Sequence, residues 1–220
     1  MPRAGLSQQA VVDLALTVVD DGGPSGWADL GLSAVAHRAG VAVPSLYKHV
    51  HGLPALRAAV AARCVEELTA AMHAAVAGGP TSAGRPTTHD DLTVVPTNGE
   101  RTTTHDDPAA GAPPPTGADA LHALADATRA YALAHPGRYR AVQGAEATTL
   151  GERAAAPALL VAHAVEELGL PADRWVDQVR AVRAGVHGFV ELELGGGFGM
   201  PEDVEASFRY LVDALVRGLS

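Results

Sequence analysis

The sequence predicts an all-α protein, and three observations carry that prediction. Alanine, leucine and valine dominate a chain with 47% hydrophobic content, apolar residues recur at helical spacing through two long stretches, and short β-branched alternation is scarce. At 220 residues the chain can bury a full core and is long enough for one or two domains. The pattern predicts about nine helices, divided between a three-helix N-terminal domain built on a helix-turn-helix and a C-terminal helical bundle.

Three parts follow one another along the chain. In residues 1–76, Val11, Leu14, Ala15, Val18 and Val19 form the stripe of a first helix, which Ser7 can cap and Gly22 and Gly23 can end. Leu56, Val60 and Leu68 mark a later helix. Residues 77–117 are expected to be a disordered insert. Between Gly78 and Gly117 there are nine Thr, seven Pro and six Gly in 40 residues, with Leu92, Val94 and Val95 as the only large aliphatic side chains. TTHDD occurs twice there, at Thr87–Asp91 and Thr103–Asp107.

Residues 118–220 return to helical spacing. Apolar stripes run through 118–134, 137–145, 156–169, 173–194 and 202–218. His135-Pro136-Gly137, Gly169 to Pro171 and Gly195 to Pro201 separate them. Asp173 is placed to cap the fourth segment, and Pro201 stands just before the fifth. Val179, Val182, Val186 and Phe189 follow one face of the fourth, and Val204, Phe208, Leu211 and Leu215 follow one face of the last. These stripes predict a helix-bundle interface between two identical subunits.

Gly40 interrupts the helical run LSAVAHRAGVAVPSLYKHV, where glycine costs about 1 kcal/mol relative to alanine. The cost is explained if the helix from Leu32 stops at Ala39, Gly40 takes the left-handed conformation, and a short helix restarts near Val43-Pro44. Two short helices joined by such a turn form a helix-turn-helix, whose second helix can enter a DNA major groove. Val35, Ala36, Ala39, Val41, Leu46 and Val50 would hold the pair against the first helix. Pro44, Ser45, Tyr47, Lys48 and His49 would then face outward. Lys48 suits a phosphate or guanine, Ser45 and Tyr47 suit phosphate oxygens, His49 a phosphate or base edge, and Val43 and Pro44 thymine methyls. Tyr47 can combine a packed ring with an outward hydroxyl.

The stretch VAHRAGVAVPSLYKHV resembles the DNA-binding signature of the TetR family of bacterial transcriptional regulators, with Ala36, Gly40, Val41, Leu46, Tyr47 and His49 in register. LSQQAVVDLALTVVDDGG is similar to that family's first helix and ALRAAVAA to the start of its fourth. RAGVHGFVELELGGGFGMPEDVEASFRYLVDAL resembles the ligand-binding and dimerisation domain of one branch, marked by His187-Gly188. The resemblance implies a homodimer that binds a palindromic double-stranded DNA operator and usually represses, with a small-molecule effector held in the C-terminal helices. It assigns DNA contact to Val43, Pro44, Ser45, Tyr47, Lys48 and His49, with Ser33 at the start of the second helix. Where the family often has Thr and Arg, this chain has Leu32 and Ser33. An aromatic residue and a lysine that usually follow the motif are replaced by Val50 and Leu53.

Charge limits how such DNA binding can work. Within residues 1–76, Arg3, Arg38, Lys48, Arg57 and Arg63 face six carboxylates, and the whole chain carries a net charge of −9. Affinity must therefore depend on local placement of a few cations, which predicts a shallow salt dependence. His37, His49 and His51 would add positive charge as pH falls, so operator affinity is expected to rise from about pH 8 to about pH 6.

Candidate effector contacts are Tyr131, Tyr139, Gln143, Trp175 and His187, polar or amphipathic side chains on the C-terminal helices, each of which could equally be core. No catalytic constellation, cofactor or metal is expected. The His163–Glu166 spacing reads as a solvated helix face, the THDD copies as linker, and GGGFG as a helix break without the spacing of a phosphate-binding loop. Cys64, the single cysteine, reads as a small buried apolar residue. With no apolar run of spanning length and no signal-peptide core, a cytoplasmic protein without membrane contact is expected. An all-helical small-molecule enzyme and a protein-interaction scaffold without DNA specificity are the alternatives. Catalytic turnover would mark the first, and lack of DNA sequence preference the second.

Overall fold

The computed structural model describes residues 6–77, 113–144 and 152–219. All regular structure in them is helical, in ten α-helices and two 3₁₀ turns. The expected insert at 77–117, with its TTHDD repeats, lies almost entirely outside the described residues.

The first helix, α1 (Gln8–Asp21), starts where the Ser7 side chain accepts a hydrogen bond from the Ala10 N–H at 3.1 Å, and ends at Gly22. A 3₁₀ turn (Gly23–Ser25) leads into α2 (Gly26–Asp29), a single turn that apolar periodicity is too short to register. Next come α3 (Leu32–Ala39) and the one-turn α4 (Val43–Leu46). Between them Gly40 has φ 65° and ψ 32°, and the Val41 N–H returns to the Ala36 carbonyl at 3.1 Å. That bond closes the helix end in the left-handed geometry that a Cβ disfavours. Val35 and Leu46 are fully buried against α1, and Leu46 alone contributes about 1.5–3 kcal/mol through its burial.

The long helix α5 (Leu53–Val76) joins two cores. Its first half places Leu56, Val60 and Cys64 among the residues of α1, α3 and α4, while Leu68 and Met72 belong to the C-terminal core. That second core is built with α6 (Gly117–Ala134), α7 (Pro136–Gln143), α8 (Glu152–Glu166), α9 (Trp175–Leu194) and α10 (Val204–Gly218).

Helix α7 is wedged between the two cores, because Ala141 is buried in the first and Tyr139 in the second. It crosses α1 so closely that a Cβ on Gly137 would come within 2.8 Å of the Val19 carbonyl oxygen. Arg138 fixes the crossing through ion pairs to Asp20 of α1 and, at 2.8 Å, Glu67 of α5.

Several helix ends differ from the sequence expectation. Helix α8 begins at Glu152, so Pro157 lies inside it rather than at its start. Asp173 falls in a 3₁₀ turn (Ala172–Arg174) and does not cap α9; the start of α10 is capped by Asp203, which accepts from the Glu205 N–H at 3.0 Å.

Candidate nucleic-acid interface and ligand cavity

The edge formed by α3, its glycine turn and α4 presents polar side chains outward. Ser33, His37, Pro44 and Lys48 are exposed, Tyr47 is 54% exposed, and Ser45 and His49 are half-buried. The reason is local: α4 stops at Leu46, whose burial anchors the turn, and the chain then returns to the core at Val50. His49 and Val50 both donate backbone hydrogen bonds to the Leu46 carbonyl, at 2.8 and 2.9 Å. Tyr47, Lys48 and His49 are thereby held in a tight turn outside the helix proper. Val43 is partly buried against the first core, which leaves Pro44 as the more open of the two apolar candidates.

Most cations of this domain are already engaged. Arg38 pairs with Asp21 and Arg63 with Glu67. Arg57 donates to the Ala28 and Leu30 carbonyls at 2.9 and 3.1 Å and lies over the Trp27 ring, so it locks the loop after α2. Arg3 lies outside the described residues. Lys48 makes no ion pair among the described residues, and it is the exposed cation at the tip of this edge.

In the C-terminal core, a cavity of about 650 Å³ opens between α5, α6, α7, α8 and α9. Tyr139, Gln143 and His187 line it. Tyr139 is almost wholly buried, and its hydroxyl lies 3.1 Å from Nδ1 of His187. Burial pushes the Tyr139 phenol above its ordinary pKa, with the Glu191 carboxylate adding to the shift, so the hydroxyl stays protonated.

Tyr131 and Trp175 are not among the residues that line this cavity. Tyr131 turns its hydroxyl toward the Cys64 carbonyl and the Glu67 carboxylate, at 3.4 and 3.3 Å. Trp175 packs against the core at the start of α9. The sequence reading missed Arg180, Arg183 and Thr128, which do line the cavity. Their signal was available, since Arg180, Arg183 and His187 share one side of α9 at helical spacing.

Residues 121–215 match a protein-family model described as the Tetracyclin repressor-like, C-terminal domain. Across 98% of this chain and 83% of its own length, the HTH-type transcriptional regulator Rv0681 of Mycobacterium tuberculosis is 29% identical. The HTH-type transcriptional regulator YobS of Bacillus subtilis is 40% identical over 67 residues, covering 30% of this chain and 34% of that protein. The chain is thus similar to a TetR-like C-terminal domain over residues 121–215 and to HTH-type transcriptional regulators.

Solved structures agree on the TetR-like fold. A protein of unknown function from Rhodococcus sp. RHA1 superposes with a TM-score of 0.69 at 22% identity, covering 99% of this chain and 98% of that one. TetR from Acinetobacter baumannii AYE does so with a TM-score of 0.56 at 20% identity, covering 97% of this chain and 96% of that one.

The residues expected at a subunit interface divide between the core and its margin. Val179, Val182, Val186 and Phe208 are buried within the chain's own core, and Phe189 and Leu215 pack against it. Val204 and Leu211 remain half-buried. The stripes face inward because α9 and α10 must first cover α6 and α8, and they leave Val176, Leu192 and Tyr210 exposed on other faces. Among the described residues, no helix is long and apolar enough to cross a membrane, and no group of three or more His, Cys, Asp or Glu side chains comes together.

Proposed function

We propose that this chain is a transcriptional regulator of the TetR type, a ligand-responsive repressor that acts in the cytoplasm and binds a palindromic operator as a homodimer. Ser33, Pro44, Ser45, Tyr47, Lys48 and His49 carry the DNA contact, with Val43 behind them. The edge turned outward by Gly40, with Tyr47 and Lys48 exposed at its tip, is the single observation that carries this reading.

The names of its relatives in Mycobacterium tuberculosis and Bacillus subtilis support regulation of transcription, without catalysis. Small-molecule response is supported by the cavity, and by a solved variant of TetR from Acinetobacter baumannii AYE in complex with minocycline, to which this chain is similar with a TM-score of 0.59 at 19% identity. Tyr139, Gln143 and His187 are the effector contacts. The His187-Gly188 pair supports a C-terminal domain of the branch marked by that pair.

An electrophoretic mobility shift with DNA from upstream of its own gene tests the proposal. A shifted band that excess unlabelled copy removes and unrelated DNA does not is expected. Equal competition by both DNAs would favour a protein-interaction scaffold.

A further inference from the structure

The cavity's polar groups are not evenly distributed in charge. Its walls include Leu68, Met72, Leu121, Leu124 and Val161, and its polar side chains are Thr128, Tyr139, Gln143, Arg180, Arg183 and His187. Among the described residues, no carboxylate lines it. The Thr128 hydroxyl is already spent on the Leu124 carbonyl at 2.7 Å, and the Tyr139 hydroxyl lies 3.1 Å from Nδ1 of His187. Glu191, whose charge acts on Tyr139, is held by Arg140 at 3.1 Å.

Arg180 and Arg183 are different. Both are exposed at the cavity and neither makes an ion pair or hydrogen bond among the described residues. In the same domain Arg129 is clasped by Glu193 and Glu205, and Arg138 and Arg140 are each held by carboxylates. Two guanidiniums without a carboxylate partner among the described residues therefore stand beside an apolar cavity.

We infer that the effector is an apolar organic carboxylate, its body filling the aliphatic cavity and its carboxylate held by Arg180 and Arg183. A guanidinium presents paired N–H donors that match a carboxylate's two oxygens. Tyr139 and His187 form the polar spot on α7 and α9 that fixes the ligand's orientation. A cationic ligand would meet repulsion, and a neutral one would leave both arginines without partners. This inference rests on the cavity being the effector site.

Isothermal titration of the full-length protein with octanoate, octan-1-ol and octylamine tests it, together with Arg180→Gln/Arg183→Gln and, as a cavity block, Ala158→Trp. Octanoate should bind roughly tenfold or more tighter than the alcohol, and the amine more weakly still. The double arginine variant should lose roughly tenfold or more for octanoate and leave the alcohol unchanged. Alcohol or amine binding as tight as octanoate, or octanoate affinity unaffected by the arginine variant, overturns the carboxylate assignment. If Ala158→Trp abolishes that binding, the cavity reading survives. Absence of binding by all three probes overturns both.

Discussion

The Tyr139 hydroxyl meets Nδ1 of His187 at 3.1 Å, and the residue before it in α7, Arg138, holds Asp20 of α1 and Glu67 of α5. One short helix therefore touches the cavity with one side and the helix-turn-helix domain with the other. On the proposed function, a ligand that displaced the Tyr139–His187 bond would act on a helix that is ion-paired to α1. Arg138→Met should cost about 1–3 kcal/mol, because it leaves two partly buried carboxylates without their common partner. Urea denaturation measures the loss. Ligand titrations of the operator complex should show weaker release by a bound effector; release equal to that of the native protein would mean that the coupling runs elsewhere.

Gly40 has open space around the position of a Cβ, so the penalty for replacing it is one of backbone conformation alone. Gly40→Val should destabilise the N-terminal domain by about 1–2 kcal/mol, and Gly40→Asn by less, since asparagine tolerates the left-handed region. Thermal melts followed by circular dichroism should rank native, Asn, Val in falling order. Equal melting of the Val variant and the native protein would show that the turn does not depend on φ 65°.

The inward direction of the α9 and α10 stripes separates stability from association. Phe208→Ala should cost about 3–5 kcal/mol, because Phe208 is fully buried against Phe189 and the Arg129 guanidinium. Tyr210→Glu, at a residue of α10 that is 71% exposed, should leave the melting temperature of the monomer nearly unchanged and weaken the proposed homodimer. Sedimentation equilibrium reads the second effect. A Tyr210→Glu protein with native dimer affinity would place the subunit contact on another face.

Cys64 is fully buried where α5 passes between α1 and α6, and burial, with the Glu67 charge adding, pushes its thiol up to about 12. At neutral pH it should react with an aromatic disulfide only as the protein unfolds. Rapid labelling of the native chain would reveal an open α5.

Much of this was legible in the sequence, for definable reasons. Gly40 stood out because a left-handed helix end admits few residues, and the Ser7 cap because its side chain bonds within its own turn. Helix α2 escaped because a single turn carries no period. Most residues of the α9 and α10 stripes expected at a subunit interface lie in or against the chain's own core, since spacing reveals that a helix has an apolar side but not whether its own chain or a second copy covers it. Tyr131 and Tyr139 are alike in sequence. They part only because α6 aims the first at Cys64 and Glu67, whereas α7 is buried on both sides and aims the second into the cavity.

The claim that Tyr47 and Lys48 read DNA is tested most directly by operator affinity, measured by fluorescence anisotropy across a salt series for the native protein and for Tyr47→Ala/Lys48→Ala. The account predicts a loss of roughly one to two decades in affinity, a log–log salt slope shallower by about one, and an unchanged melting temperature. Native affinity and slope in the variant would contradict it.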